Sequence, residues 1–390
     1  MLGVCALVAV GALAAALTAI GGGDGPEVHS YKVGQHPIGI AVGDFDRDGR
    51  RDLAVTNFFS DPFSISILRG RSQGRFARAK TIALSEQDDQ PDAIAVARIG
   101  KGKDQDLVVG TLGDDVLVLK GRRRAGFRPP VRLDLGDFSN PREVATGDLN
   151  HDGRTDIAVS RQGPNDVAVL LGEGGLGFAP PVPYAAAGGG TILAAQLDPG
   201  NDLDLLTIDY AIDGLALLRG QGDGTFGSAE PLNPGDEVFS IAVADLNRDG
   251  RNDIVAGLVG GNHPRVGISR GEPGGGFAPQ QVLTVGPRPM VIADIAVTRL
   301  NRDRDPDLVL VGREIGGVRA ARGDKGPPPA SRVIFAEGRA GIGLERVREI
   351  NFGGEATAVA TAGFDRGGAD AAVTRDRQAR RGQAVVILNP

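Results

Sequence analysis

Three stretches of the chain repeat one arrangement of oxygen-bearing side chains. They read Asp44-Phe45-Asp46-Arg47-Asp48-Gly49-Arg50-Arg51-Asp52, Asp148-Leu149-Asn150-His151-Asp152-Gly153-Arg154-Thr155-Asp156 and Asp245-Leu246-Asn247-Arg248-Asp249-Gly250-Arg251-Asn252-Asp253. The oxygens of positions 1, 3 and 5 can turn inward, and glycine at position 6 permits a sharp bend. Position 7 (Arg50, Arg154, Arg251) offers a backbone carbonyl, and position 9 (Asp52, Asp156, Asp253) offers a final carboxylate. An all-oxygen set suits a hard cation that takes about six to eight ligands, and the sequence therefore predicts Ca2+ at three sites. A helix-flanked calcium loop would need Glu at position 12, where the first loop has Val55 and runs on as a strand. One copy alone would match an ordinary Asp/Asn turn. Solvated turns have no reason to hold four oxygen positions at one spacing three times over.

The loops recur because the chain does. At a period near 50 residues an apolar strand enters an Asp/Gly loop and an Asp-Leu/Ile-Ala/Val strand leaves it. Weaker copies at Arg98 to Asp106, Gln196 to Asp204 and Arg299 to Asp307 keep the length and the final Asp, and Gly363 to Asp370 is one residue shorter. Most units add an apolar strand ending in Gly and a Gly/Phe pair, as in Leu171-Gly172 with Gly177-Phe178 and Arg270-Gly271 with Gly276-Phe277. Sixty glycines and 24 prolines fit many short elements joined by tight turns rather than helices. One four-stranded unit cannot bury both faces by itself, whereas seven around an axis can.

The fold expected is therefore all-β, a seven-bladed β-propeller of four-stranded blades over residues 24–390. The small residues of Gly39-Ile40-Ala41-Val42, Ala93-Ile94-Ala95-Val96 and Ala242-Val243-Ala244 would line the axis, and Phe76, Phe127, Phe178, Phe226 and Phe277 would pack between blades. The last unit supplies three strands, so Val28 to Val33 should complete it beside Val385 to Leu388 and close the ring.

In these loops and Gly/Phe landmarks the chain resembles the FG-GAP or VCBS repeats of integrin-α-like propellers, from Val28 to Pro390. That resemblance implies calcium between the first two strands of the first, third and fifth blades. The other four blades depart from the pattern. Blades two and six carry Arg98 and Arg299 at position 1, where a guanidinium would repel a dication, so an arginine fork onto Asp106 or Asp307 is expected instead.

Residues 1–23 hold an uncharged apolar run, Val4 to Ile20, that reads as a signal peptide or N-terminal anchor, which places the protein outside the cytoplasm, secreted or at the cell surface. The only cysteine, Cys5, falls inside it, so the mature chain has no disulfide and relies on core, ring closure or metal. A formal charge of −6 with only short basic runs argues against nucleic acid. The four histidines are scattered and form no catalytic constellation, and the absence of Trp leaves few platforms for a sugar, which weighs against a lectin. The function expected is a monomeric, non-catalytic binding or adhesion scaffold for a protein or cell-surface ligand. A carbohydrate-active lyase or hydrolase is the rival reading. Arg322-Gly323-Asp324 spells an adhesion tripeptide but sits where other repeats have Arg-Gly, and residues 324 to 341 interrupt the sixth repeat.

Overall fold

The computed structural model describes residues 26–84, 90–123, 126–186, 189–233, 235–301, 303–314, 331–339, 343–351, 354–365, 369–376 and 382–388. The N-terminal segment 1–23 and the Arg322-Gly323-Asp324 tripeptide lie outside them.

All regular structure among the described residues is β-strand, in seven four-stranded antiparallel sheets that form the blades of a seven-bladed propeller and two short two-stranded ribbons, Gly121–Arg122 with Gly126–Phe127 and Gly172–Gly174 with Gly177–Phe178. In blade one the innermost strand is Pro37–Gly43, followed outward by Asp52–Asn57, Ser64–Leu68 and Lys80–Ala83. The innermost strands of successive blades neighbour one another around the axis, and that of blade seven, Glu355–Ala362, returns to blade one, where Thr357 Oγ1 donates to the carbonyls of Pro37 and Ile38 at 3.0 Å.

Blade seven is closed by the chain's beginning. Glu27–Lys32 pairs antiparallel with Gly382–Leu388 in the register Val28↔Ile387 and Ser30↔Val385, as the incomplete last repeat predicts. Every second strand, from Asp52–Asn57 through Asp253–Leu258, is buried along its whole length because a neighbouring blade covers each face. Such strands read as unbroken apolar runs rather than alternating ones. Seven separate hydrophobic clusters result, one at each junction between blades. Each repeat phenylalanine packs back onto the preceding blade: Phe76 with blade seven, Phe127 with blade one, Phe178 with blade two.

The landmark glycine that ends the third strand has a steric cause. A Cβ on Gly70 would lie 2.2 Å from the carbonyl oxygen of Arg51, and on Gly121 it would lie 2.1 Å from that of Gln105. Arg51 and Gln105 both hold position 8 of their loops, so the strand end is pressed onto the loop and tolerates no side chain.

Of the stretch 324–341, the sequence suggests an interruption, but residues Ser331–Arg339 form the third strand of blade six. Gly338 there pairs with Leu344 as Gly70 pairs with Phe76 in blade one. The reading as an interruption missed this strand because its landmark lacks the Phe.

Candidate metal centre and the opposite face

All the Asp loops join the first strand of a blade to the second, so they share one face of the ring. The three full loops have one geometry. Both carboxylate oxygens of position 1 accept backbone N–H groups inside the loop: Asp44 from Asp48 and Gly49 at 3.0 Å each, Asp148 from Asp152 and Gly153, and Asp245 from Asp249 and Gly250. Position 5 accepts from the N–H of position 7, at 2.8 to 3.0 Å in the three copies. The bend requires left-handed backbone at position 4 (Arg47, His151, Arg248) and at the position 6 glycine, where φ lies between 57° and 84°. Glycine at position 6 has this conformation without steric cost.

In blade one the ligand atoms of Asp44, Asp46 and Asp48 lie within 4.8 Å of one another. Asp46 Oδ1 is buried and has no hydrogen-bond partner, a costly condition for a carboxylate oxygen unless a cation meets it. Blades three and five have Asn at position 3. There the amide turns its nitrogen toward the position 5 carboxylate, Asn150 Nδ2 to Asp152 Oδ2 at 3.2 Å and Asn247 Nδ2 to Asp249 Oδ2 at 2.8 Å. The arginines at position 7 fold back over the loop. Arg50 and Arg251 reach the carbonyls of Gly70 and Gly271, and each pairs with its position 5 carboxylate, as Arg154 does with Asp152 at 3.1 Å.

Position 9 has a second role that sequence reading missed. Asp52 is wholly buried, with Oδ2 accepting from Phe45 N at 2.9 Å and Oδ1 from Gly70 N at 2.7 Å. The same two bonds occur at Asp106, Asp156, Asp204, Asp253 and Asp307, whether or not the rest of the ligand set is present. The carboxylate thus pins the loop to the landmark glycine, while two of its roughly four lone-pair sites stay available to a cation. Burial pushes Asp52 up to about 6 against the pull of its two N–H donors, with the charges of Asp46 and Asp48 adding to the rise. Asp156 and Asp253 are raised for the same reasons, each beside the acids at positions 5 and 1 of its own loop. These clustered like charges, together with the orphaned Asp46 oxygen, fit a hard divalent cation.

The arginine forks expected in blades two and six do not form. Asp106 pairs with Lys120 at 2.8 Å, and Arg98 is exposed, contributing only its carbonyl to Thr155 Oγ1. Arg98 keeps its side chain in solvent, whereas Lys120, the residue before the landmark glycine of blade two, stands over the buried carboxylate. Asp307 in blade six has the Leu300 and Gly338 amides as its described partners.

The innermost strands also carry carboxylates. Glu143 of blade three, Asp92 of blade two and Asp294 of blade six all lie on innermost strands, and the charges of Asp92 and Asp294 act on Glu143 although their blades are not all neighbours. Arg142 pairs with Asp92 at 3.2 Å, and Asp294 accepts the amides of Ile295 and Val359 at 2.8 Å. Enclosure by protein, reinforced by the charges of Asp92 and Asp294, pushes Glu143 up to about 8. Sequence reading passed over these acids because each sits in an otherwise apolar strand of a different repeat. A raised carboxyl stays protonated where the unfolded chain has lost its proton, so its contribution to stability is full below about 4.5 and is lost as pH rises toward 8. Glu143 is only partly buried, which reduces the effect. Glu143→Gln is expected to stabilise the protein by about 2 kcal/mol at pH 8 and by little at pH 5, read as the difference between denaturant curves of variant and parent.

The other face carries the remaining connections and a different chemistry. Among the described residues, the exposed aromatic side chains Phe59, Phe138, Tyr210 and Phe239 all lie there, on turns or at the strand end away from the Asp loops. His36 stacks on Phe58 and Phe59 with ring centroids 5.9 and 4.8 Å away, and its Nδ1 lies 2.8 Å from Asp376 of blade seven. Arg313 lies over Phe239 at 5.9 Å.

Comparison with known proteins agrees with this architecture. Residues 140–177 match the FG-GAP repeat and residues 197–256 an FG-GAP-like repeat, which together span blade three and the junction of blades four and five. The chain is a seven-bladed β-propeller that carries FG-GAP repeats in these two stretches. No curated protein sequence matches it. Among solved structures it is similar to BBS1N in complex with ARL6DN, at 13% identity and a TM-score of 0.59 over 90% of this chain and 91% of that one. It is also similar to virginiamycin B lyase from Staphylococcus aureus, at 11% identity and a TM-score of 0.55 over 92% and 99%. At these identities the likeness is one of fold.

Proposed function

We propose that the protein is an extracytoplasmic, calcium-stapled binding scaffold without catalytic activity, which presents the face opposite its Asp loops to a protein partner. The observation that carries this reading is the division of labour between the two faces. One face holds the repeated oxygen loops that knit first and second strands together. The other carries the exposed aromatic side chains of blades one, four and five and of the turn between blades two and three, with His36 against Phe59 and Arg313 over Phe239. Exposed aromatic clusters rimmed by polar residues mark protein-binding surfaces. The solved structure of BBS1N is a complex with ARL6DN, and a protein-binding role for this propeller accords with that precedent.

Calcium would be held by Asp44, Asp46, Asp48 and Asp52 with the carbonyl of Arg50, and by the corresponding residues of blades three and five. Its contribution is rigidity of the ring rather than chemistry. The partner can be sought by pull-down from an envelope extract using the parent protein and a Phe59→Ser/Phe138→Ser/Tyr210→Ser variant. Loss of about 2 kcal/mol or more of binding per buried aromatic is expected, so the triple variant should capture nothing that the parent captures. Equal capture by both would refute the assignment of this face.

A further inference from the structure

The Asp loops do not stand alone on their face. Position 4 of each full loop, held in left-handed backbone, reaches the carboxylate at position 7 of the next blade's loop. Arg47 Nη1 lies 3.5 Å from Asp104 Oδ1, His151 Nε2 lies 2.6 Å from Asp202 Oδ1, and Arg248 Nε lies 3.2 Å from Asp305 Oδ1. The third contact is an ion pair without hydrogen-bond alignment. The sequence carries the same alternation. Position 7 is Arg50, Arg154 and Arg251 in blades one, three and five, and Asp104, Asp202 and Asp305 in blades two, four and six.

The alternate junctions are bridged by a different bond of equal regularity. Position 8 donates back to the position 1 carbonyl of the preceding loop, Thr155 Oγ1 to Arg98 O and Asn252 Nδ2 to Gln196 O, both at 2.8 Å. In addition Gln105 Oε1 accepts from Asp44 N at 2.5 Å. Five consecutive junctions, from blade one to blade six, are thus joined through the loops themselves.

We infer that the loops of blades two, four and six are the supports of the loops before them, and that Asp104, Asp202 and Asp305 are positioning residues for calcium binding in blades one, three and five. This rests on the calcium reading above. The physical reason is twofold. Each carboxylate draws a cationic or polar side chain at position 4 away from the cluster of acids beside it. Each also fixes the backbone at the one non-glycine residue of the loop in left-handed conformation. By linkage, an ion that orders the odd loop must then order the even loop that grips it, although the even loop holds no ion.

The test uses the whole chain, calcium alone as probe, and two readouts: calorimetric titration and amide hydrogen exchange. The variants are Asp104→Asn, Asp202→Asn and Asp305→Asn, made singly and together, with Asp104→Glu as the conservative counterpart. Calcium should slow exchange in the loops of blades two, four and six of the parent. The Asn variants should bind calcium about 2- to 5-fold more weakly per altered pair and lose that slowing, and Asp104→Glu should stay near the parent. Weaker binding with unchanged exchange would reduce the acids to distant charges and overturn the inference. Unaltered affinity in the triple Asn variant would overturn it as well, while leaving calcium binding intact. Absence of any calcium binding by the parent would overturn the calcium reading and this inference together.

Discussion

Asp106→Ala lowers stability by about 3 to 5 kcal/mol, and by the same amount in calcium and in chelator. Asp106 is fully buried and accepts from Ile99 N at 2.7 Å, Gly121 N at 2.8 Å and Lys120 at 2.8 Å. Truncation leaves two interior N–H donors without an acceptor and takes the counter-charge from the half-buried Lys120 ammonium, which keeps only the Ile99 carbonyl, and each stranded group costs about 1–3 kcal/mol. Blade two lacks a position 1 carboxylate, so no ion enters the account. Asp52→Ala is the matched experiment. In chelator it should lose about as much, since Asp52 makes the same two backbone bonds. In calcium it should lose more, because the parent alone gains from the ion. Denaturant unfolding of both variants with and without calcium measures the four quantities. An Asp106 effect confined to calcium-containing buffer would show that this carboxylate works through a metal and not through the amides.

Calcium itself is expected to produce the second large effect. The three full loops gather like charges, and an ion that binds only the folded state stabilises it by about 2.7 kcal/mol per site at a hundredfold excess over Kd. Three such sites should raise the unfolding temperature on the order of 10 °C at millimolar calcium, with chelator reversing the shift. The effect should fade in acid. Protons compete with the cation for Asp52, raised to about 6 by burial, so the calcium-dependent shift should shrink as pH drops through that value. A shift that is constant from pH 8 to pH 5 would contradict carboxylate ligation.

Much of this architecture was legible in the residues because a propeller repeats its physics. Asp at position 9, the landmark glycine and the following Phe recur in sequence because the same buried carboxylate, the same close approach to a position 8 carbonyl and the same packing onto the preceding blade recur in space. The ring closure was legible for a related reason: a unit with three strands must find a fourth. What was not legible depended on contacts that no local pattern records, within a blade or between blades. Lys120 could not be told from Arg98 as the partner of Asp106 without knowing which side chain stands over the loop. The acids Asp92, Glu143 and Asp294 come from three repeats and share no local pattern. The strand Ser331–Arg339 hid behind a landmark in which Leu344 replaces the aromatic. The exposed aromatics of the far face were each visible as residues, but only the alternation of connections around the ring places them together.

The first, third and fifth loops, and no others of the six nine-residue loops, are expected to hold calcium. Anomalous scattering from crystals grown with calcium tests it directly, with native mass spectrometry as a count in solution. Three ions are expected, each among the oxygens of positions 1, 3, 5 and 9, with the blade-one site filling first because it brings four carboxylates where the others bring three. Empty loops in blades one, three and five at millimolar calcium, or an ion beside Arg98 or Arg299, would contradict it.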